Sequence, residues 1–148
     1  MIPAFNENGW LSEGVHDCSL EEAAARFGTF QVSDHRQRLW AKFTEFIGEA
    51  KAFGGLIEAL LLDGSFVTSN PNPNDIDLIV VVSASCDFAM ELQPMQYNLL
   101  SQRRVRRRFG FDIVVVRQGS ENLKLAIDFF QQVKQRPAER KGLVRITV

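Results

Sequence analysis

Leu60-Leu61-Leu62-Asp63-Gly64-Ser65-Phe66, followed after a polar loop by Asn74-Asp75-Ile76-Asp77-Leu78-Ile79-Val80-Val81-Val82, is the stretch that decides the fold. It reads as strand, glycine turn, loop, strand. Strand side chains alternate between faces, so Asp75 and Asp77 point to one face and Ile76 and Leu78 to the other. Two residues along a strand place the two aspartate Cα atoms about 7 Å apart. Side-by-side ionised carboxylates repel unless a positive charge lies between them. A hard divalent cation meets that need, and Mg²⁺ prefers a few carboxylates together with phosphate oxygens. Upstream, Gly64 permits a sharp turn and a close approach of the backbone to a ligand. The N–H and hydroxyl of Ser65 are then placed to donate to phosphate.

A third piece follows at Phe111-Asp112-Ile113-Val114-Val115-Val116, a buried type of strand with a carboxylate near its start. Glycine turn, paired aspartates and a later aspartate together resemble the nucleotidyltransferase superfamily of the DNA polymerase beta type. The slots are filled by Gly64-Ser65, by Asp75-Ile76-Asp77-Leu78 and by Phe111-Asp112-Ile113. The resemblance covers the middle of the chain and neither terminal segment. It implies an α/β fold, a small mixed β-sheet flanked by helices. It also implies Mg²⁺ or Mn²⁺ held by Asp75, Asp77 and Asp112 as catalytic metal ligands, with Gly64 and Ser65 holding the outer phosphates of an NTP. Asp63 departs from the pattern, which has an apolar residue before the glycine. It is read as bonding to the turn backbone in preference to acting as a fourth carboxylate.

The totals fit one domain: 148 residues, 45% hydrophobic and 24% charged. We expect a single nucleotidyltransferase-like domain over 1–148, with 1–32 an N-terminal arm and short helix. Twelve phenylalanines against one tyrosine favour a well-filled core over a wet recognition surface. A formal charge of −1 gives the whole molecule no general pull on nucleic acid or membrane. Cys18 and Cys86 form no CxxC pair, which argues against a zinc site or a disulfide framework. No run approaches the roughly eighteen apolar residues of a membrane span, and the start lacks a secretory pattern. A cytoplasmic location is the expectation.

Along the chain, residues 1–18 are expected to be an irregular but ordered arm, because Ile2, Phe5, Trp10, Leu11 and Val15 are too apolar for a disordered tail. Ser19 and Glu22 form a capping box for a helix that Gly28 ends. Ser33 or Asp34 caps a second helix, whose Leu39, Trp40, Phe43, Phe46, Ile47 and Ala50 recur at helical spacing. The spacing predicts strands over Leu56–Leu62, Leu78–Ser83 and Phe111–Val116. Residues 68–74 are expected to form a loop. One helix is expected from Pro94 to about Arg108, with Met95, Leu99 and Leu100 inward and Gly110 at its end. Another opens at Ser120 or Asn122, carries Leu123, Ile127, Phe130 and Val133 on one face, and closes at Pro137. Residues 143–148 read as a half-buried edge strand.

Arg103, Arg104, Arg106, Arg107 and Arg108 cannot share one helix face at 3.6 residues per turn. They are read first as solvated charge at a helix C-terminus and, as the alternative, as a contact for phosphate or RNA. Lys124 is read as exposed. His16 and His35 lack metal-ligand spacing. The expected function is Mg²⁺-dependent transfer of an NMP from an NTP to a hydroxyl of a protein, tRNA or small molecule. The resemblance places it in a toxin–antitoxin or defence setting with a cognate toxin or antitoxin partner. The alternatives are a non-catalytic binding module of the same fold and an RNA-binding protein.

Overall fold

The computed structural model describes residues 2–28, 34–70, 73, 76–86, 94–133 and 136–148. In chain order the elements are β1 (Gly14–Cys18), α1 (Leu20–Phe27), α2 (His35–Ala52), β2 (Ile57–Asp63), a 3-10 turn (Ser65–Val67), β3 (Asp77–Val82), α3 (Pro94–Leu100), α4 (Gln102–Phe109), β4 (Asp112–Arg117), α5 (Glu121–Phe130), β5 (Gln132–Val133), β6 (Arg136–Arg140) and β7 (Gly142–Thr147). Five strands form a mixed sheet in the order β1-β7-β2-β3-β4, and β5 and β6 pair separately. The β1–β7 and β3–β4 pairs are parallel, whereas β2 runs antiparallel to both β3 and β7. The fold is mixed α/β, as the alternation of apolar runs and amphipathic segments requires.

Both faces of the sheet centre are covered, which is why β2 and β3 are nearly continuous in apolar residues. Leu60, Leu62, Leu78, Val80 and Ile113 join the larger core with Phe27 of α1, Phe43, Phe46 and Ile47 of α2, and Val105 and Phe109 of α4. The alternate residues Ala59, Leu61, Ile79, Val81 and Val116 meet Leu123, Ala126, Ile127 and Phe130 of α5. Phenylalanines knit the larger core: Phe109 and Phe111 stack at 5.7 Å, and Phe46 meets Phe109 edge-on at 5.5 Å. Among the described residues no helix is long and apolar enough to cross a membrane.

Several expectations need correction. The arm is ordered, with Ile2 and Leu11 buried, but it is not irregular throughout, because Gly14–Cys18 adds a parallel strand to β7. That addition removes β7 from the sheet edge, where the sequence had placed it; β1 and β4 are the outer strands. The single helix expected from Pro94 to Arg108 is two, divided at Ser101, whose extended backbone (φ −84°, ψ 118°) and hydroxyl cap the second. Met95 points outward and is 68% exposed. The last helix stops at Phe130, so Val133 belongs to β5, and Pro137 lies within β6. The Ser19 and Ser120 caps form as expected, each hydroxyl accepting from the backbone N–H three residues on. Asp34 precedes α2 without a side-chain capping bond, and Ser33 lies outside the described residues.

Candidate functional site

β2, β3 and β4 begin or end on an aspartate at the same level of the sheet. Asp63 of β2 pairs with Asp77 of β3, and Asp77 pairs with Asp112 of β4. Residues opposite one another in adjacent strands share a face. Parity identifies it: Asp63 follows Ala59 and Leu61, Asp77 precedes Ile79 and Val81, and Asp112 precedes Val116, all on the α5 side. At about 4.8 Å per strand the row is roughly 10 Å long. Its burial is graded, from Asp63 with a 5% exposed side chain to Asp112 with a 58% exposed one. Asp75 lies outside the described residues.

Cations from other elements meet the two outer members of the row. Lys141, just before β7, places Nζ 3.2 Å from Asp63 Oδ1. The Lys141 backbone is itself tied down, its N–H donating to Gln131 O at 2.9 Å. Arg106, in the last turn of α4, donates from Nη1 to Asp112 Oδ1. That pair is open to solvent, each side chain being 58% exposed. Among the described residues, no group of three His, Cys, Asp or Glu side chains gathers closely enough to hold a metal ion. The donor chemistry of Asp77 and Asp112, hard oxygens in adjacent register, still suits a hard divalent cation.

The glycine turn is shaped around the middle aspartate. Gly64 has φ +84°, which disfavours any side chain, and a Cβ there would lie 2.8 Å from Asp77 Oδ2. The Asp77 carboxylate thus occupies the space a side chain would take. Ser65 starts the 3-10 turn, whose Phe66 is buried against Phe27 and stacked on Trp40 at 6.3 Å. The turn is also gripped from below. Arg36, fully buried in the first turn of α2, donates to the carbonyl oxygens of Phe66 and Thr68 at 2.6 Å each and to Asn70 from Nε at 3.0 Å. Another of its bonds reaches Phe27 O at 3.2 Å. Carbonyl dipoles thereby satisfy a buried guanidinium. Burial lowers its pKa to about 10, well above neutrality, so the group stays charged.

A cleft of about 610 Å³ opens beside the row. Gly64, Ser65, Asp77 and Lys141 give it a polar lining, while Trp10, Phe129 and Phe130 give it an aromatic one. The volume falls in the range of small-molecule sites. Gly64, Ser65 and Asp77 were marked by the sequence motif; Asp112, opposite Asp77 on the next strand, is not part of the lining. Asp63 stands in the row rather than serving the turn alone. Carrying the alternation of β2 one residue past Leu62 would have placed it there. Lys141, Arg36 and Trp10 gave no comparable signal, because each reaches the site from a distant part of the chain.

No curated protein and no solved structure matches the chain. Its sequence matches over residues 3–147 a family described as a family of unknown function, DUF6932, and the chain belongs to that family.

Proposed function

We propose that this protein is a divalent-metal-dependent nucleotidyltransferase that moves a nucleoside monophosphate from an NTP to a hydroxyl of a protein, tRNA or small molecule. The observation that carries the reading is the register of Asp77 with Asp112 on one face, with Gly64 packed against the Asp77 carboxylate. Asp77 and Asp112 would hold Mg²⁺ or Mn²⁺, joined by Asp75 on the resemblance. Such an ion would supply charge neutralisation at the α-phosphate and acidify the acceptor hydroxyl. The Ser65 N–H and hydroxyl donate to the outer phosphates. The acceptor oxygen forms a bond to the α-phosphorus as the bond to the pyrophosphate oxygen breaks, and Asp112, the exposed carboxylate, accepts the hydroxyl proton. Arg106 must release Asp112 for that step. A toxin–antitoxin or defence setting, with a cognate partner and a cytoplasmic location, belongs to the same proposal.

Incubation with α-labelled ATP, CTP, GTP and UTP, Mg²⁺ and cell lysate tests it. Label should pass to a lysate component only with Mg²⁺ present, and Asp77→Ala should lower the rate about 100-fold or more. Transfer that survives Asp77→Ala, or that occurs with none of the four nucleotides, overturns the assignment. A second reading, a non-catalytic binding module, draws on the ion pairs to Asp63 and Asp112. It predicts no transfer and a stable complex with a partner protein that Asp77→Ala leaves intact.

A further inference from the structure

The aromatic side of the cleft comes from parts of the chain that the acidic motif does not reach. Residues Asn6–Trp10 form a closed loop. Asn6 Oδ1 accepts from the N–H groups of Asn8 at 2.9 Å and Trp10 at 3.0 Å, and Asn6 N–H donates to Trp10 O at 2.7 Å. Five polar groups within five residues are thus paired internally, which sets the path of the loop without help from packing. Two further bonds fix the loop against the body. Gly9 O accepts from Ser69 N–H at 2.9 Å, joining it to the segment that follows the Gly64–Ser65 turn. Leu11 O accepts from Gly142 N–H at 2.9 Å, joining it to the start of β7 beside Lys141. At the first of these seams Gly9 has φ +80°, which disfavours any side chain, and a Cβ there would crowd the Ser69 hydroxyl. The loop is therefore seated on both polar walls of the cleft, with Trp10 in the lining.

The Trp10 ring is half-buried and has the Arg136 guanidinium 5.7 Å from its centroid. A cation over an indole face holds the ring as well as packing does. Across the lining stands Phe129, 65% exposed and edge-on to Phe130 at 5.4 Å. Phe129 thus presents an open aromatic surface at the cleft. Polar donors, one lysine and a carboxylate on one set of walls, with aromatic rings on another, match a ligand that is anionic in one part and a flat ring in another.

We propose that the Asn6–Trp10 loop is the base-binding wall of this cleft, with Trp10 stacking on the nucleobase while the phosphates lie toward Lys141 and the Gly64–Ser65 turn. The inference rests on the nucleotidyltransferase reading for its ligand class. Stacking needs only a π-face, so the wall tolerates every base and grips purines most firmly. Selection among bases by hydrogen bonding is then left to groups beyond this wall.

Binding without turnover tests it. Calorimetric titration of the full chain uses the α,β-methylene analogues of the four NTPs with Mg²⁺, and inorganic tripolyphosphate as a probe without a base. Trp10→Ala should weaken analogue binding about 5- to 150-fold, the range for loss of one base–aromatic stack, and leave tripolyphosphate binding unchanged. Trp10→Phe should restore most of the affinity, and circular dichroism confirms that each variant is folded. Analogue affinity that ignores Trp10→Ala, an equal loss for tripolyphosphate, or no analogue binding by the unaltered chain overturns the inference. The enzyme reading fails separately: analogues bound through Trp10 with no label transferred would sink catalysis and leave this wall in place.

Discussion

Lys141 and Asp63 stand or fall together. With only 5% of its side chain exposed, the Asp63 carboxylate has the Lys141 ammonium 3.2 Å away and lies opposite Asp77 in the sheet. Removing one partner of a buried ion pair is destabilising by up to about 3–5 kcal/mol. Lys141→Met should therefore lower stability by about that amount in urea denaturation, while Lys141→Met combined with Asp63→Asn should recover most of the loss. Equal destabilisation by the single and double variants would show that the pair contributes nothing as a pair. The sequence disclosed this part of the site unevenly. Asp77 and Asp112 were legible because each opens an apolar run, so strand parity alone sets their face. Asp63 closes a run instead, next to a glycine, where turn chemistry competes with strand extension for the same residue. Lys141 was illegible, since a lysine in a connection says nothing until the sheet order brings β7 beside β2.

Helix α3 ends and α4 begins at one residue. Ser101 N–H donates back to Tyr97 O at 2.9 Å, closing the first helix, while Ser101 Oγ accepts from Arg104 N–H at 3.3 Å, opening the second. Ser101→Ala removes the cap and should cost about 1 kcal/mol in thermal or urea unfolding. Because α4 carries Arg106 to Asp112, the same change should also loosen that ion pair, visible as faster amide exchange in α4. Unchanged stability would mean that the break is imposed by packing alone. A single helix was expected over residues 94–108 because serine is unremarkable inside a helix, yet Leu99 and Leu100 stand six and five residues before Val105, off a helical repeat, which is where the break shows. The arginines divide their roles along this element. Arg106 holds Asp112, Arg108 makes a paired contact with Glu49 of α2 at 2.9 and 3.1 Å, and Arg104 lies 5.5 Å from the Tyr97 ring. Arg103 and Arg107 face solvent with no ion pair among the described residues. Strand β7 shows the opposite case. Its alternation marked the inward Val144 and Ile146, while on the other face Thr147 is exposed and Arg145 half-buried but Leu143 is buried in the second core; a half-buried strand and an edge strand look alike in sequence. Only β1 decides between them.

The whole molecule is closed by its arm. β1 pairs with β7 from Gly14–Gly142 to Cys18–Ile146, and within that register Asp17 lies opposite Arg145. Arg145 Nη2 donates to Asp17 Oδ2 at 3.0 Å, and this hydrogen bond holds the Asp17 pKa below its ordinary 3.8. A carboxyl with a lowered folded pKa contributes stability above its unfolded value and loses that contribution as pH falls through the folded one. The side chains are 41% and 62% exposed, so the pair is worth less than about 1 kcal/mol. Asp17→Asn should lower the melting temperature slightly at neutral pH, and the gap to the unaltered protein should close below pH 3.8. A gap that widens in acid would refute the sign. The arm's apolar residues weigh more. Ile2 and Leu11 are buried in the larger core, and Phe5 packs on Phe27 at 6.3 Å. Burial of one such side chain is worth about 1.5–3 kcal/mol. Deleting residues 2–18 would forfeit several of these at once, strip β7 of its outer neighbour and expose its backbone for pairing with other chains. Against a typical domain stability of about 5–15 kcal/mol, that loss is ruinous. The shortened chain should aggregate or lack a cooperative melt by circular dichroism. A sharp, monomeric transition near that of the full chain would mean that β1 and the loop beside it are appended to a core already complete without them.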